Sequence, residues 1–329
     1  MSATHTQPVM KWGVIAPGRI AHNFAKGISV VDDACITAVA SRDKQRATAF
    51  AEQYGIDRIY LDYAELIRDP DIDAIYISTP HAFHFELAKQ CLLARKPVLC
   101  EKPLTMNAAQ SQALASLALE QSTFIMEALW SKFLPVWRNM NTWLAQIGEV
   151  KQVHSSFCFK VDVDPNDRLF DPLLGGGALH DIGIYNIALS NLLFGQAPCG
   201  WKLSGDVGQT GVEETVNALL DYGDGRHATF HCSFHVDEPM VMQISGTHGR
   251  IVIDAPFFGA QSATLYADDN APETFQVTHH GGGFEYQIRE AMACIRSGQV
   301  FSEIHPLSST LEHMSIIDQM RAELGIPTP

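Results

Sequence analysis

Between Lys11 and Met126 the chain repeats one pattern, a short and nearly continuous apolar run followed by a stretch with helical periodicity. The apolar runs fall at residues 12–16, 36–40, 74–78, 98–100 and 124–126, and the helical stretches at residues 20–28, 44–54, 83–94 and 108–120. Few folds accept this. Strands that are apolar on both sides need cover on both faces, and a helix after each strand supplies it when the strands run parallel. The expectation is a doubly wound α/β sheet.

Past Gly148 the pattern changes. Longer strand-like segments follow one another at residues 150–161, 214–222, 227–234, 241–245 and 250–254, separated by turn signals such as Tyr222-Gly223-Asp224-Gly225 and Thr247-His248-Gly249. A helix is expected over residues 178–193, and two more near 284–297 and 307–324. This predicts an α+β domain with an open, mostly antiparallel sheet. At 329 residues the chain has room for two domains. The expected division is residues 1–130 and 131–329.

Composition excludes some classes. The formal net charge of −14, with no stripe of Lys and Arg to offset it, argues against a nucleic-acid partner. Residues 1–10 are polar and lack the blocks of a signal peptide, and no apolar stretch is long enough to span a bilayer. Cys35, Cys91, Cys100, Cys158, Cys199, Cys232 and Cys294 are scattered and form no C-x-x-C pair, which suits free thiols in the cytoplasm. His231 and His235 have helical spacing in strand-like sequence, and His279-His280 lies in a glycine-rich loop. No metal site is expected from either.

The first apolar run leads into Ala16-Pro17-Gly18-Arg19-Ile20-Ala21. A strand, a tight turn and a helix start in this order form a phosphate-binding arrangement. Gly18 lets the backbone approach a pyrophosphate, the N–H groups near Arg19 and Ile20 face its charge, and small Ala21 allows close packing. Ala16 stands where the fingerprint has its first glycine. At the tip of the second strand, Ser41, Arg42 and Arg46 are candidates for the ribose. Arg42 and Arg46 are one helical turn apart and suit a 2′-phosphate, hence NADP over NAD. Asp43 is either a ribose ligand or a helix N-cap. The fourth run ends Ser78-Thr79-Pro80-His81, with His84 close behind. Val98-Leu99-Cys100-Glu101-Lys102-Pro103 ends the next with a charged pair.

Together with Gly175-Gly176-Gly177-Ala178-Leu179-His180-Asp181-Ile182-Gly183-Ile184-Tyr185 and the ending Asp318-Gln319-Met320-Arg321, this ordered series resembles the glucose–fructose oxidoreductase and inositol dehydrogenase (Gfo/Idh/MocA) family. Met126-Glu127-Ala128-Leu129-Trp130-Ser131-Lys132-Phe133-Leu134-Pro135 is similar to the branch that includes dimeric dihydrodiol dehydrogenases and NADP-dependent D-xylose dehydrogenases. The resemblance implies a Rossmann domain over residues 1–130 and a substrate-binding and oligomerisation domain over 131–329. It also implies hydride transfer between NADP and a secondary alcohol of a sugar or dihydrodiol. Cofactor contacts are implied for Ala16, Gly18, Arg19, Ile20, Ser41, Arg42, Arg46, Thr79, Pro80, His84, Glu101 and Lys102. Trp130, Phe159 and Phe284 are implied as an aromatic pocket wall. His180 replaces an apolar residue of the family pattern and adds a titratable group near the substrate.

Asp181 and Tyr185 would share one face of the helix after the triple glycine. A phenol is a poor base at neutral pH, and a neighbouring ammonium favours its phenolate. Tyr185 is therefore the expected acid/base, Lys102 its assistant, and Asp181 the residue that orients Lys102 or a second hydroxyl. A redox-neutral, nicotinamide-dependent glycoside hydrolase and a non-enzymatic NADP-binding sensor are the competing functions. An apolar exposed sheet face is expected to carry a homodimer.

Overall fold

The apolar runs of the first half become the strands of a six-stranded parallel sheet. They are β1 (Met10–Ile15), β2 (Ala34–Ala40), β3 (Arg58–Tyr60), β4 (Ala74–Ile77), β5 (Val98–Glu101) and β6 (Ile125–Ala128). Between them run α1 (Arg19–Ile28), α2 (Lys44–Tyr54), α3 (Tyr63–Arg68), α4 (His84–Leu93) and α5 (Ala108–Gln121). In this computed structural model, which describes residues 8–268 and 270–328, the sheet order is β3-β2-β1-β4-β5-β6. Every residue of β4, β5 and β6 is buried, as strands covered on both faces must be. The order reverses between β1 and β4, where loops diverge at the strand C-termini and leave a crevice. β3 and α3 escape the sequence reading because Arg58–Tyr60 is too short to show a period and lies at the sheet edge.

The chain forms two compact units. The first holds the described residues up to Thr105 with Ala109–Trp130 and His279–Thr310, and the second holds Met106–Ala108, Ser131–Thr278 and the described residues from Leu311 onward. Sequence alone assigns residues 279–310 to the second domain; the structure groups them with the first. The cause is packing. Helix α9 (Phe284–Arg296, numbered in chain order after the helices named below) lies on α1 so closely that a Cβ on Gly27 would sit 2.6 Å from Phe284 Cβ. Arg289 donates to the Val30 carbonyl at 2.7 Å, and Arg296 pairs with Asp33 at 2.5 Å.

The second unit contains α6 (Pro135–Arg138), α7 (Met140–Ile147), β7 (Val150–Cys158) and α8 (Ile184–Phe194). It continues with β8 (Gly200–Val207), β9 (Glu213–Asp221), β10 (His227–Ser233), β11 (Met242–Gly246), β12 (Gly249–Ile253), β13 (Ser262–Ala267) and β14 (Glu273–Gln276). A last helix, α10, spans Leu307–Glu323. The eight strands are ordered β14-β13-β12-β11-β7-β10-β9-β8, with β7 and β10 parallel and every other neighbouring pair antiparallel. β8, β13 and β14 were not expected; the glycines of β8 and its lack of a fully buried residue hide its period.

One face of this sheet is packed by Val216, Ala218 and Leu220 on β9 and Ala228, Phe230 and Cys232 on β10. The opposite face carries Asn217, Thr229, His231, Gln152, His154 and Gln243, all exposed or half-buried. Among the described residues this face is mostly polar, with Leu219 exposed beside Thr229 and Val252 half-buried beside Gln243, rather than the apolar patch expected, because strand alternation puts polar side chains outward. Among the described residues no helix is long and apolar enough to cross a membrane.

Candidate active site

The turn after β1 has the form a dinucleotide site needs. Ala16 takes φ 63°, in the left-handed region where glycine is strain-free, so the residue at the first fingerprint position adopts the glycine conformation despite its side chain. Gly18 is extended at the start of α1, and a Cβ built there would meet only the Ala16 carbonyl, at 3.9 Å, so the space over the turn is open. Ser78 Oγ, at the end of β4, lies 2.9 Å from the Ala16 carbonyl and ties β4 to the turn. Arg19 is exposed and Ile20 half-buried.

At the tip of β2, Asp43 caps α2, its Oδ1 accepting the Arg46 N–H at 3.1 Å. Ser41 Oγ accepts the Asp43 N–H. Arg42 and Arg46 are exposed, and the Arg42 guanidinium stands 5.4 Å from the Phe83 ring centroid. Thr79, at the end of β4, has a buried hydroxyl with no hydrogen-bond partner among the described residues. An orphaned buried donor beside an open glycine turn fits a bound dinucleotide.

The turn that carries Lys102 is held along its length. Glu101 Oε1 accepts the Tyr76 hydroxyl at 2.5 Å. Burial pushes the Glu101 carboxyl up to about 7, against the Tyr76 hydrogen bond and the Lys102 charge. The Lys102–Pro103 peptide is cis. The Pro103 carbonyl lies 2.8 Å from His84 Nδ1, while His84 Nε2 lies 2.8 Å from the Thr79 carbonyl. His84, implied as a cofactor contact, is fully buried and joins the backbones of the two turns at Thr79 and Pro103. Burial drives its ring toward the neutral form, below the usual histidine range, against the pull of both carbonyls.

The Leu104 N–H donates to Glu127 Oε1 at 2.9 Å, and Thr105 Oγ1 meets Ser111 Oγ at 2.5 Å. Glu127 Oε2 receives His305 Nε2 and Thr310 Oγ1, each at 2.9 Å. Burial alone would raise the Glu127 carboxyl, but the hydrogen bond and charge of His305, with the Leu104 and Thr310 donors, hold it below the usual range. Trp130 and Phe284 meet at 5.0 Å between ring centroids. Tyr76, Glu127, His305 and Thr310 were missed by the sequence reading.

In the second unit, Leu179–Gly183 form a π-helical turn that runs into α8. Its start is fixed by Gly177 at φ 121°, where a Cβ would lie 2.4 Å from Glu213 Oε1. Asp181 Oδ1 accepts from Arg168 Nη1 at 2.9 Å. Tyr185 is buried, with its ring 5.7 Å from Phe157 and 5.3 Å from Phe258, two rings that stack at 4.1 Å. Phe159 packs on Phe234 at 5.4 Å in the same aromatic group.

His180 is fully buried, with Nδ1 3.2 Å from Arg321 Nη1. Arginine has no acceptor, so Nδ1 offers its lone pair and the ring proton belongs on Nε2. Arg321 also reaches Glu213 Oε2 at 3.0 Å and the Gly176 carbonyl at 3.2 Å. Arg168, Phe157 and Phe258 carried no sequence signal. Arg321 was visible only as part of the terminal motif.

Residues 10–129 match the model of the oxidoreductase family with an NAD-binding Rossmann fold, and residues 140–252 match the GFO/IDH/MocA C-terminal domain. A trans-1,2-dihydrobenzene-1,2-diol dehydrogenase from Xenopus laevis is 35% identical, the match covering 97% of this chain and 99% of the relative. The Homo sapiens enzyme of the same name is 31% identical, over 97% and 98%. Among solved structures, a 3-ketoreductase from Actinomadura kijaniata in complex with NADP and TDP-benzene superposes with a TM-score of 0.82 at 26% identity, covering 96% of this chain and 98% of that one. An aldose-aldose oxidoreductase from Caulobacter crescentus shares the fold, with a TM-score of 0.85 at 23% identity over 96% and 98%. An NAD(P)-binding Rossmann unit and a second unit that each match their family model, with full-length relatives, place this chain in the GFO/IDH/MocA family of oxidoreductases.

Proposed function

We propose that the protein is an NADP-dependent dehydrogenase acting on a secondary alcohol of a trans-dihydrodiol or a sugar. The observation that carries this reading is the full-length likeness to dihydrodiol dehydrogenases at 30–35% identity. Bound NADP⁺ supplies the hydride-accepting ring. Gly18, Arg19 and Ile20 would hold the pyrophosphate, with Ala16, Thr79 and Pro80 alongside. Ser41, Arg42 and Arg46 would hold the ribose and its 2′-phosphate, a pair of guanidinium groups being matched to that dianion.

In this reading Tyr185 takes the hydroxyl proton as the C–H bond is lost. Lys102 favours the Tyr185 phenolate and hydrogen-bonds the same substrate oxygen. Asp181, anchored by Arg168, would orient Lys102 or a second substrate hydroxyl. Trp130, Phe159 and Phe284 would line the pocket, and His180 would tune its polarity through Arg321. The Actinomadura ketoreductase has been solved with a tyrosine changed to phenylalanine and with a lysine changed to alanine, which draws attention to the same two residue types. The seven cysteines are all free thiols, which favours the cytoplasm. A homodimer through the exposed face of the eight-stranded sheet is part of the proposal. Polar rows are compatible with such a contact, since many interfaces are no more apolar than the remaining surface. Light scattering at micromolar concentration should give twice the chain mass, and a monomer would remove the dimer.

The test of the activity follows reduced-nicotinamide absorbance with NADP⁺, and NAD⁺ in parallel, across trans-dihydrodiols, pentoses and hexoses. Signal growth with NADP⁺ on one class is the expected outcome. Silence across the panel with cofactor bound would contradict it and favour redox-neutral hydrolysis or a sensor.

A further inference from the structure

On the exposed face of the eight-stranded sheet, three potential metal ligands from three chain segments converge. Cys158 ends β7, His231 lies on the parallel neighbour β10, and Glu238 lies in the loop from β10 to β11. Their ligand atoms all lie within 4.8 Å of one another, and among the described residues they are the one such group of three or more His, Cys, Asp or Glu side chains. Cys158 Sγ is 3.5 Å from His231 Nδ1, and the same Nδ1 is 2.8 Å from Glu238 Oε1.

That shared nitrogen matters. A nucleophile relay would use opposite nitrogens of the ring, one toward the thiol and one toward the carboxylate. Here a single nitrogen faces both, as ligand atoms do around a common centre. Tetrahedral zinc, with Zn–S near 2.3 Å and Zn–N near 2.0–2.1 Å, separates its sulfur and nitrogen ligands by about 3.5 Å. The Cys158–His231 spacing has that value. The Glu238 contact is shorter than the roughly 3.3 Å of a zinc-bound N/O pair, so the carboxylate must move outward slightly.

It has room to do so, since its side chain is 37% exposed. The loop on either side is anchored: Ser156 Oγ donates to the Pro239 carbonyl at 2.7 Å, and the Lys160 N–H donates to Asp237 Oδ1 at 3.0 Å. The frame of the site is thus built, and one ligand arm remains adjustable.

We propose that Cys158, His231 and Glu238 form a zinc site outside the proposed dehydrogenase machinery. Thiolate, imidazole and carboxylate form a donor set suited to Zn²⁺ or its spectroscopic substitute Co²⁺, and three protein ligands leave a fourth position for water or an exogenous ligand. The Cys158 proton passes to solvent when the metal binds. Bound metal would clamp β7, β10 and the 234–241 loop together.

The test titrates Co²⁺ into the full-length protein after removal of metal by a chelator, followed by displacement with Zn²⁺. The expected result is one Co²⁺ per chain, with a thiolate-to-cobalt charge-transfer band in the near ultraviolet that Zn²⁺ abolishes. Cys158→Ser should eliminate the band, whereas Cys199→Ser, at an exposed thiol, should preserve it. Glu238→Gln, in the loop and safe for folding, should weaken Co²⁺ binding by at least the roughly tenfold that even an outer-shell partner is worth. Absence of saturable Co²⁺ and Zn²⁺ binding would overturn the site. So would a band that survives Cys158→Ser or an affinity unchanged in Glu238→Gln.

Discussion

Two buried glutamates, one in each unit, serve similar architectural ends by opposite electrostatics. Glu127 receives three donors, the Leu104 N–H, His305 Nε2 and Thr310 Oγ1, and its carboxyl is held below the usual range. Glu213 faces Arg321 and the Leu179 N–H, yet burial outweighs both and raises its carboxyl. The first therefore favours the charged form and fixes the backbone two residues beyond Lys102. The second fixes the start of the π-turn that carries His180 and Asp181, but its charge is poorly solvated there. A formal ion pair does not by itself set the protonation state; the number and quality of donors do.

The comparison can be broken most directly by truncation. Glu127→Ala leaves buried donors unmatched and should lower stability to urea by about 3–5 kcal/mol. The same change at Glu213 strands the buried, permanently charged Arg321 and should also cost about 3–5 kcal/mol, so the pH dependence rather than the size of the loss separates the two. A negligible loss at either glutamate would remove its role as a buried anchor.

Acidity sharpens it. Glu127, lowered from 4.5, contributes stability above that value, and the contribution is lost as pH falls through its folded-state value. Glu213, raised from 4.5, has its most favourable state below that value and loses stability as pH rises through its folded-state value. The stability advantage of the native chain over Glu127→Gln should thus shrink on acidification, whereas its advantage over Glu213→Gln should grow. Glu101 follows the second pattern, losing stability between 4.5 and about 7, and Glu101→Gln should flatten the stability profile there. Parallel profiles for Glu127→Gln and Glu213→Gln would contradict the comparison.

The smallest effect is expected at the cofactor turn. Ala16 at φ 63° bears a left-handed penalty of about 1–2 kcal/mol, partly offset in glycine by about 0.4–1 kcal/mol of unfolded-state entropy. Ala16→Gly should therefore raise the melting temperature slightly; a clear fall would show that the Ala16 methyl packs usefully.

What could be read in the sequence follows from contact range. Ala16–Ala21 and Val98–Pro103 are strand-to-loop transitions whose period and turn residues are local, so they mark the parallel sheet and its crevice. The π-turn at Leu179–Gly183 replaces the expected uninterrupted helix, because an i→i+5 bond has no distinct composition. His305 and Thr310 reach Glu127 from 178 and 183 residues away, and Arg321 reaches His180 from 141. Such partners depend on tertiary packing and leave no spacing to read. His231 and His235 show the converse: their i, i+4 interval is visible, yet the structure pairs His235 with Glu214 and brings His231 to Cys158 and Glu238.

The central claim is that Tyr185 moves the substrate proton while the Rossmann unit independently binds the cofactor. Its most direct test compares wild type and Tyr185→Phe for turnover on the best substrate and for NADPH affinity by fluorescence titration. The account predicts turnover lower by roughly 10²–10⁴-fold with cofactor affinity nearly unchanged. Turnover that survives the loss of the hydroxyl would contradict it and move the acid/base role to another residue.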